Sequence, residues 1–297
     1  MKPYASTAAL ADSADLWERL GDYRRAGLTA VELGAGVRPT STPIDLESLA
    51  TSLRELEVSL LVHNYFPPQQ VPFFLNLASR DDEIRARSVK MVEGGLTLSA
   101  RLGASHYSVH GGWVTDPTGV GRTSLILAEP IDSDAARTAG ERFAYSVDHL
   151  LALAESLEVD LLIENNVCSP ELVGKVLLAS GEDFDRFLLR FRSERLGILV
   201  DLGHLRISAE TLGFTPEAFV DEMAPHIRAF HAHDNDGKTD LHEPVQEGSW
   251  ALGILRRPEF VDAIAVDEAR FVSAAALARH VEFLAVARAA TEIGSSG

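Results

Sequence analysis

Short runs of apolar residues alternate with amphipathic stretches along most of this chain of 297 residues. Runs rich in branched apolar residues are typical of strands that are buried on both faces. The alternation predicts eight strands, at Pro3–Ser6, Leu28–Leu33, Val58–Tyr65, Ser105–His110, Val159–Asn165, Gly197–Asp201, Ile227–His233 and Ala263–Phe271. Helical periodicity and capping residues predict helices at Asp15–Ala26, Leu46–Glu55, Asp82–Leu102, Asp134–Leu157, Pro216–Met223 and Ser273–Ala290.

Eight strands that alternate with helices in a chain of this length favour a single (β/α)8 TIM barrel over an open doubly wound sheet. We therefore expect one domain over residues 1–293, followed at 294–297 by an unstructured tail or a cloning remnant. No GxGxxG motif follows the first strand, so no nucleotide cofactor is expected. Long loops are expected after three strands, at Phe66–Arg80, Gly111–Ser133 and His233–Pro258.

Four of the apolar runs end in an acid or a histidine. Glu164 ends LLIE, Asp201 ends ILVD, His231 ends AFH and Glu268 ends AIAVDE. The carboxyl ends of barrel strands meet on one face, where oxygen and imidazole ligands suit Mn²⁺, Mg²⁺ or Co²⁺ and also accept Zn²⁺. In the last strand, alternation allows only one of Asp267 and Glu268 to face inward. The pattern predicts a divalent-metal site.

More ligand-type side chains are expected on the same rim of the barrel: His63, His110, His204, Asp240 and His242. His204 lies three residues after Asp201, so one turn could carry both groups inward. His233 alternates with His231 on one strand, and we expect it to orient a ligand rather than to bind metal.

Composition narrows the range of partners. The net charge of −17 opposes binding to phosphate backbones, so we do not expect nucleic acid as the substrate. The single cysteine, Cys168, cannot form an internal disulfide, which fits a cytoplasmic location. No apolar run has the length of a membrane span, and the N-terminus lacks the apolar core of a signal peptide.

Taken together, these residues resemble the xylose-isomerase-like TIM-barrel superfamily from about Val58 to Phe271. The superfamily contains sugar isomerases and epimerases beside endonuclease IV. In the epimerase branch one metal is held by Glu, Asp, His and Glu, which match Glu164, Asp201, His231 and Glu268. The resemblance implies that the two glutamates are the proton-transfer pair and that His204 contacts the substrate.

The endonuclease branch holds three zinc ions with more ligands. Its additional ligands resemble His63 in VHNY, His110 in VHGG, His204 in DLGH, and Asp240 and His242 in DLHEPVQEG. The usual Gly-Glu-Gly after the last of these histidines reads Gln246-Glu247-Gly248 here. The resemblance thus leaves two questions open: whether the site holds one metal or three, and whether Asp267 or Glu268 is the ligand from the last strand.

The leading hypothesis is a metal-dependent sugar or sugar-phosphate isomerase or epimerase that transfers a proton through an enediolate. The alternatives are an endonuclease IV-like zinc phosphodiesterase and a barrel that binds a sugar or metal without catalysis. Tyr65, Phe66 and Trp113 could wall the pocket, and Lys238 and Arg270 could meet a phosphate or carboxylate. The expected partners are a small carbohydrate and, through the long loops, a second copy in a homodimer.

Overall fold

A closed barrel of eight parallel strands forms the centre of the protein, in a computed structural model that describes residues 3–42, 44–121, 125–130, 132 and 134–294. The barrel strands are β1 (Tyr4–Ser6), β2 (Ala30–Leu33), β3 (Ser59–His63), β4 (His106–His110), β7 (Asp160–Glu164), β8 (Leu196–Asp201), β9 (Ile227–Ala232) and β10 (Ile264–Asp267). Each pairs in parallel with its neighbours along the chain, and β1 pairs with β10 to close the ring. The (β/α)8 barrel expected from the sequence is confirmed.

Helices surround the barrel and follow its strands. They are α1 (Leu16–Arg25), α2 (Leu46–Arg54), α3 (Asp82–Leu102), α4 (Ala135–Leu157), α5 (Gly181–Leu188), α6 (Leu202–Leu212), α7 (Pro216–Met223), α8 (Trp250–Leu255) and α9 (Ala274–Gly294). Capping explains several boundaries. The Asp81 side chain accepts hydrogen bonds from the first turn of α3, and Gly103 ends that helix in the left-handed conformation.

The main differences from the sequence expectations lie in the connections. Helices α5 and α6 were not expected, and α8 lies within the segment His233–Pro258 that was expected to be a loop. The segment Gly111–Ser133 contains an antiparallel pair, β5 (Pro117–Val120) and β6 (Leu125–Leu127). Of the expected tail, Gly294 ends α9, and residues 295–297 lie outside the described residues.

The barrel interior changes from apolar to polar along its axis. In the middle of the strands, Leu162, Leu199 and Ala229 form one buried apolar cluster, and Leu61 and Val266 belong to another. Toward the carboxyl ends, the buried side chains are acids, histidines and serines. The polar chemistry is therefore confined to one end of a filled barrel. Within the described residues, no helix is both long and apolar enough to cross a membrane.

Candidate metal centre

The predicted ligands converge at the carboxyl end of the barrel. His63, His110, Glu164 and Asp201 are the last residues of β3, β4, β7 and β8, and Glu268 follows β10 directly. Because neighbouring parallel strands bring their ends to the same rim, these side chains approach one another although they lie far apart in sequence.

Four residues meet around one imidazole nitrogen. His231 Nδ1 lies 3.2 Å from Glu164 Oε1, 3.0 Å from Glu268 Oε2 and 3.7 Å from Asp201 Oδ2. We call these four residues the central group. All except Glu268 are almost completely inaccessible to solvent.

A pair of histidines approaches the other oxygen of Glu164. His63 Nε2 lies 3.5 Å and His110 Nδ1 lies 3.2 Å from Glu164 Oε2. Neither approach has hydrogen-bond geometry, and both Glu164 Oε2 and His110 Nδ1 are buried without a hydrogen-bond partner among the described residues. Glu164 therefore faces the central group with one oxygen and the histidine pair with the other.

A third set of ligand-type side chains lies partly on the loop after β9. His204 Nε2 and His242 Nε2 lie 3.5 Å and 3.2 Å from Asp240 Oδ2. We call His204, Asp240 and His242 the loop group. The second oxygen of Asp240, Oδ1, is buried without a hydrogen-bond partner in the described part of the chain.

Backbone pairing fixes the loop that carries Asp240 and His242. Asp234 and Glu243 each donate a backbone N–H to the other's carbonyl at 2.8 Å, which closes the segment between them. The Asp234 carboxylate also accepts from Arg206 and from the Trp250 indole, at 2.5 and 3.2 Å. The loop is thus tied to α6 and α8, and its two donor side chains are preorganised.

In two of these histidines, one ring nitrogen is hydrogen-bonded to a backbone carbonyl and the other faces a carboxylate. His204 Nδ1 donates to the Asn165 carbonyl at 3.1 Å, and His242 Nδ1 donates to the Glu268 carbonyl at 3.0 Å. Since a carbonyl oxygen can only accept, both Nδ1 atoms carry hydrogen, and both Nε2 atoms are directed at Asp240. This is the arrangement in which histidine binds a metal through its other nitrogen.

The carboxylates of these groups are held in their ionised form. Burial opposes ionisation of Glu164, but His110, His231 and His63 outweigh it and lower its pKa to about 2. In the same way, burial of Asp201 is outweighed by His204 and His233, which hold its pKa well below the usual range. Against burial, His231 lowers the pKa of Glu268 and His204 lowers the pKa of Asp240.

The histidines divide into two kinds. Burial lowers the pKa of His110 to about 4, so its ring is neutral near neutral pH. For His204 and His231, neighbouring carboxylates outweigh burial and raise the pKa well above the ordinary value. Asp240 similarly overcomes burial of His242 and raises its pKa to about 9. Protons on these imidazoles offset the charge of the carboxylates.

The donor set fits divalent cations. It contains four carboxylates and five imidazoles, and subsets of three lie with their donor atoms within 4.8 Å of one another. Two carboxylate oxygens and one imidazole nitrogen are buried without hydrogen-bond partners in the described structure. Buried polar atoms are normally satisfied, and cations can replace the imidazole protons that balance this charge.

The structure also shows which of Asp267 and Glu268 faces the barrel interior and what His233 contacts. Glu268 belongs to the central group, whereas Asp267 Oδ2 lies 2.6 Å from His280 on α9, on the outer side of the barrel. His233 Nε2 lies 2.9 Å from Asp201 Oδ2. A Cβ atom on Gly203 would lie 2.1 Å from the His233 ring, so a glycine is required in DLGH.

The five side chains expected to bind substrate have different surroundings. Tyr65 is partly buried, and its hydroxyl accepts from the Leu75 N–H at 3.1 Å. Phe66 packs in the hydrophobic core without exposed surface, and Trp113 is buried in a small cluster with its own neighbours. Lys238 and Arg270 are exposed. The backbone N–H of Arg270 donates to the His242 carbonyl at 2.8 Å, which links it to the loop group.

Sequence reasoning missed Glu32. Its side chain is fully buried, and its Oε1 lies 3.1 Å from His231 Nε2. The signal that could have revealed it is a charged residue within the otherwise apolar run AVEL. Charged side chains are rarely buried without a partner, so a glutamate inside a buried strand indicates a polar contact in the barrel.

Comparisons with known proteins show which proteins share this architecture. The uncharacterized protein MJ1311 of Methanocaldococcus jannaschii is 25% identical over 211 residues, which cover 70% of this chain and 62% of that protein. A D-tagatose 3-epimerase-like protein superposes with a TM-score of 0.75 at 18% identity, covering 99% of this chain and 100% of the other. The TTHB071 protein of Thermus thermophilus, solved with ZnCl2 soaking, gives a TM-score of 0.63 at 24% identity, covering 96% and 98%.

The structural matches are below 25% identity and therefore show a shared fold, and the match to MJ1311 spans less than two thirds of that protein. A family model described as the xylose isomerase-like TIM barrel matches residues 20–269, which is most of the chain. The matched range includes all of the candidate metal ligands, from His63 to Glu268. The chain belongs to the xylose isomerase-like TIM-barrel family.

Proposed function

We propose that this protein is a divalent-metal-dependent isomerase or epimerase of a sugar or sugar phosphate. The observation that carries the proposal is the central group, in which Glu164 and Glu268 approach His231 Nδ1 within 3.2 and 3.0 Å from separate strands. The likeness in fold to a D-tagatose 3-epimerase-like protein supports a carbohydrate as the substrate.

The central group would hold one divalent cation, Mn²⁺, Mg²⁺, Co²⁺ or Zn²⁺, which supplies positive charge to a substrate carbonyl and its neighbouring hydroxyl. Glu164 and Glu268 would then remove and return the carbon-bound proton, and the substrate would pass through an enediolate. Asp201 and His231 complete the donor set. Because these donors are buried, bulk water has little access to the proton during its transfer.

Residues around the central group would bind and orient the substrate. His204 lies between the central group and the loop group, 3.7 Å from Glu164 and 3.5 Å from Asp240, and would contact a substrate hydroxyl. Tyr65 and Trp113 would line the approach. Lys238 and Arg270 are cations near the loop group and would meet a phosphate or carboxylate on the substrate.

The test is solvent hydrogen exchange into a panel of ketoses and ketose phosphates, followed by NMR in deuterated water. The metal-loaded wild type should exchange the proton beside the carbonyl of its substrate. Glu164→Gln and Glu268→Gln should lose at least about 100-fold of that rate, as expected for removal of a general acid or base. Glu83→Gln, an exposed change on α3, is the matched control and should retain the rate.

Two results would contradict the proposal. One is exchange at the wild-type rate in both glutamine variants. The other is a wild type that binds metal but exchanges no proton in any ketose or ketose phosphate.

A second candidate function is phosphodiester hydrolysis by a multinuclear zinc centre. It is favoured by the histidine pair at Glu164 Oε2 and by the loop group, which together provide donors for more than one metal. Two metals can activate a water and stabilise the leaving oxygen of an in-line displacement. The net charge of −17 favours a small phosphodiester over a nucleic acid as the substrate.

Metal content and a chromogenic phosphodiester separate the two functions. A multinuclear hydrolase should retain two or three zinc ions per chain, and His63→Ala and His110→Ala should each abolish hydrolysis. His226→Ala removes an exposed histidine and is the control. A chain that holds one metal and does not cleave the phosphodiester excludes this alternative.

A further inference from the structure

Three buried polar side chains of the barrel strands contact the candidate metal ligands from inside the barrel. Strands alternate their side chains between two faces, so the residue two positions before an inward-facing ligand also faces inward. Ser108 precedes His110 in this way, and its Oγ lies 2.8 Å from His63 Nδ1. Ser6 Oγ donates to Glu268 Oε1 at 3.4 Å, and Glu32 contacts His231. We call Ser6, Glu32 and Ser108 the support layer.

Glu32 differs from the two serines because it brings a full charge into the barrel. Its side chain has no exposed surface, and among the described residues the side chain that forms a hydrogen bond with Glu32 is His231. Its second oxygen, Oε2, is buried without a hydrogen-bond partner among the described residues. An isolated buried carboxylate is costly unless a partner stabilises its charge.

We propose that Glu32 is a positioning residue that holds His231 as a metal ligand. Glu32 Oε1 accepts the Nε2–H of His231, which leaves Nδ1 free to bind a cation within the central group. The inference rests on the proposed metal centre and assigns a role to a residue outside its ligands.

The geometry of the ring supports this role. The two nitrogens of His231 face opposite ways, with Nε2 toward Glu32 and Nδ1 toward Glu164 and Glu268. A carboxylate on the far nitrogen fixes the tautomer and the ring orientation and increases the basicity of the coordinating nitrogen. A cation at Nδ1 would in turn balance the charge of Glu32 across the ring.

An alternative is that Glu32 binds a metal directly with His63 and His231, since donor atoms of these three residues lie within 4.8 Å. The contacts of His63 oppose this. Its Nδ1 is engaged by Ser108 Oγ at 2.8 Å, and its Nε2 is directed at Glu164 Oε2. The contacts of both His63 nitrogens are therefore with Ser108 and Glu164, and the nitrogen of His231 that faces Glu32 is hydrogen-bonded to it.

The experiment measures the affinity for Co²⁺ and Zn²⁺ by competition with a chromophoric chelator, for wild type, Glu32→Gln and Glu93→Gln. Glu32→Gln keeps the size of the side chain and should weaken metal binding about 10- to 100-fold, the usual cost of losing such a partner. Glu93→Gln is the matched control, because it makes the same change at a carboxylate that also contacts an imidazole, His149 Nε2 at 2.7 Å, but lies outside the barrel on α3. Glu93→Gln should bind metal as the wild type does.

Thermal unfolding of the metal-free proteins separates a positioning role from a structural one. Glu32→Gln should unfold near the temperature of the metal-free wild type, while its Co²⁺ complex shows an altered visible spectrum. Unchanged metal affinity in Glu32→Gln overturns the inference and leaves the proposed function intact. A wild type that binds no metal overturns both.

A measurement on the wild type covers the case in which Glu32→Gln fails to fold. Nitrogen-15 NMR of the zinc-loaded protein reports the tautomer of each histidine. His231 should carry its hydrogen on Nε2 and bind zinc through Nδ1. A hydrogen on Nδ1, or a zinc-loaded structure with a Glu32 oxygen at the coordination distance of about 2.0–2.2 Å, would overturn the role assigned to Glu32.

Discussion

Asp201 shows how one residue can end a strand, begin a helix and contribute to a donor group. Its Oδ1 accepts the His204 N–H at 2.7 Å and caps α6, while its Oδ2 faces His233 and His231. Asp201 is thus the N-cap of α6 and His204 is the third residue of that helix, which explains why the two lie three positions apart. The DLGH motif combines a structural cap with two donors, and its glycine leaves room for the His233 ring.

Cys168 illustrates a different effect of burial on a single residue. The residue is 2% exposed, and burial, with a smaller contribution from Asp183, raises the pKa of its thiol to about 11. A raised pKa means that the neutral thiol persists to higher pH than in an unfolded chain, where the pKa is about 8.5. Because the thiolate is the reactive form, the folded protein should react slowly below the raised pKa.

We therefore expect iodoacetamide to alkylate the native protein at least about 100-fold more slowly than the urea-unfolded protein near pH ~8. The rate should rise with pH up to the limit of native stability. Mass spectrometry of the intact chain measures it without ambiguity, since Cys168 is the single cysteine of the sequence. Equal rates in the folded and unfolded protein would show that the thiol is accessible to the reagent and that folding does not raise its pKa.

At the scale of elements, helix α3 packs so closely on β4 that one of its residues must be glycine. A Cβ atom on Gly95 would lie 2.2 Å from Tyr107 Cε2, and the Tyr107 ring is completely buried. The adjacent Gly94 has Leu46 Cδ1 as its nearest neighbour, at an ordinary 3.8 Å. These two glycines of one helix therefore provide a matched pair.

Gly95→Ala should destabilise the protein by about 1–3 kcal/mol or more, because the ring and the helix must move apart. Gly94→Ala should stabilise it by up to about 1 kcal/mol, because alanine restricts the unfolded chain and favours the helix. Urea unfolding of the two variants beside the wild type measures both effects. A loss of stability in Gly94→Ala equal to that in Gly95→Ala would contradict the packing argument.

The barrel strands could be predicted from the sequence because they are short runs with apolar residues, several of them rich in branched side chains, and a polar residue lies near the end of most. All eight runs correspond to strands, although β2 begins at Ala30 rather than Leu28 and β10 ends at Asp267. Helix α6 was missed because it begins directly after Asp201 and most of its residues are buried, which removes the amphipathic period. Helices α5 and α8 have eight and six residues, too short for a clear period.

For the candidate site, alternation and motif spacing indicated the donors, but not their surroundings. Glu32 lies two residues from Ala30 within β2, and only the closure of the barrel brings it beneath His231. Likewise, Asp267 and Glu268 could not be distinguished by the apolar residues before them. The contact between Asp267 and His280 on α9 turns Asp267 outward and leaves Glu268 inside.

For the whole molecule, the two ends of the barrel have different roles. At the amino end, Asp160 pairs with Arg195 and Arg228, which links three neighbouring strands with opposite charges. At the carboxyl end, acids and histidines are gathered with few compensating cations, which is costly unless ligands or protons balance the charge. A cation bound there should therefore add to the stability of the folded state, since the site does not exist in the unfolded chain.

We expect zinc at about 1,000 times its dissociation constant to stabilise the fold by roughly 4 kcal/mol, and EDTA to reverse the effect. With about 2 cal/mol/K of unfolding entropy per residue, this corresponds to an increase in Tm of about 6–7 °C for the chain. Asp201→Asn can still cap α6 through its amide oxygen but lacks the charge, so the zinc-dependent increase should be lost. Its metal-free Tm should fall, because the change removes the negative charge beside the buried His233 and His231 rings, and the zinc effect is therefore measured against the metal-free form of the same variant. His226→Ala, an exposed change, should keep the full increase. Differential scanning calorimetry with zinc and with EDTA measures these shifts, and an equal zinc effect in Asp201→Asn would show that zinc stabilises the protein from another place.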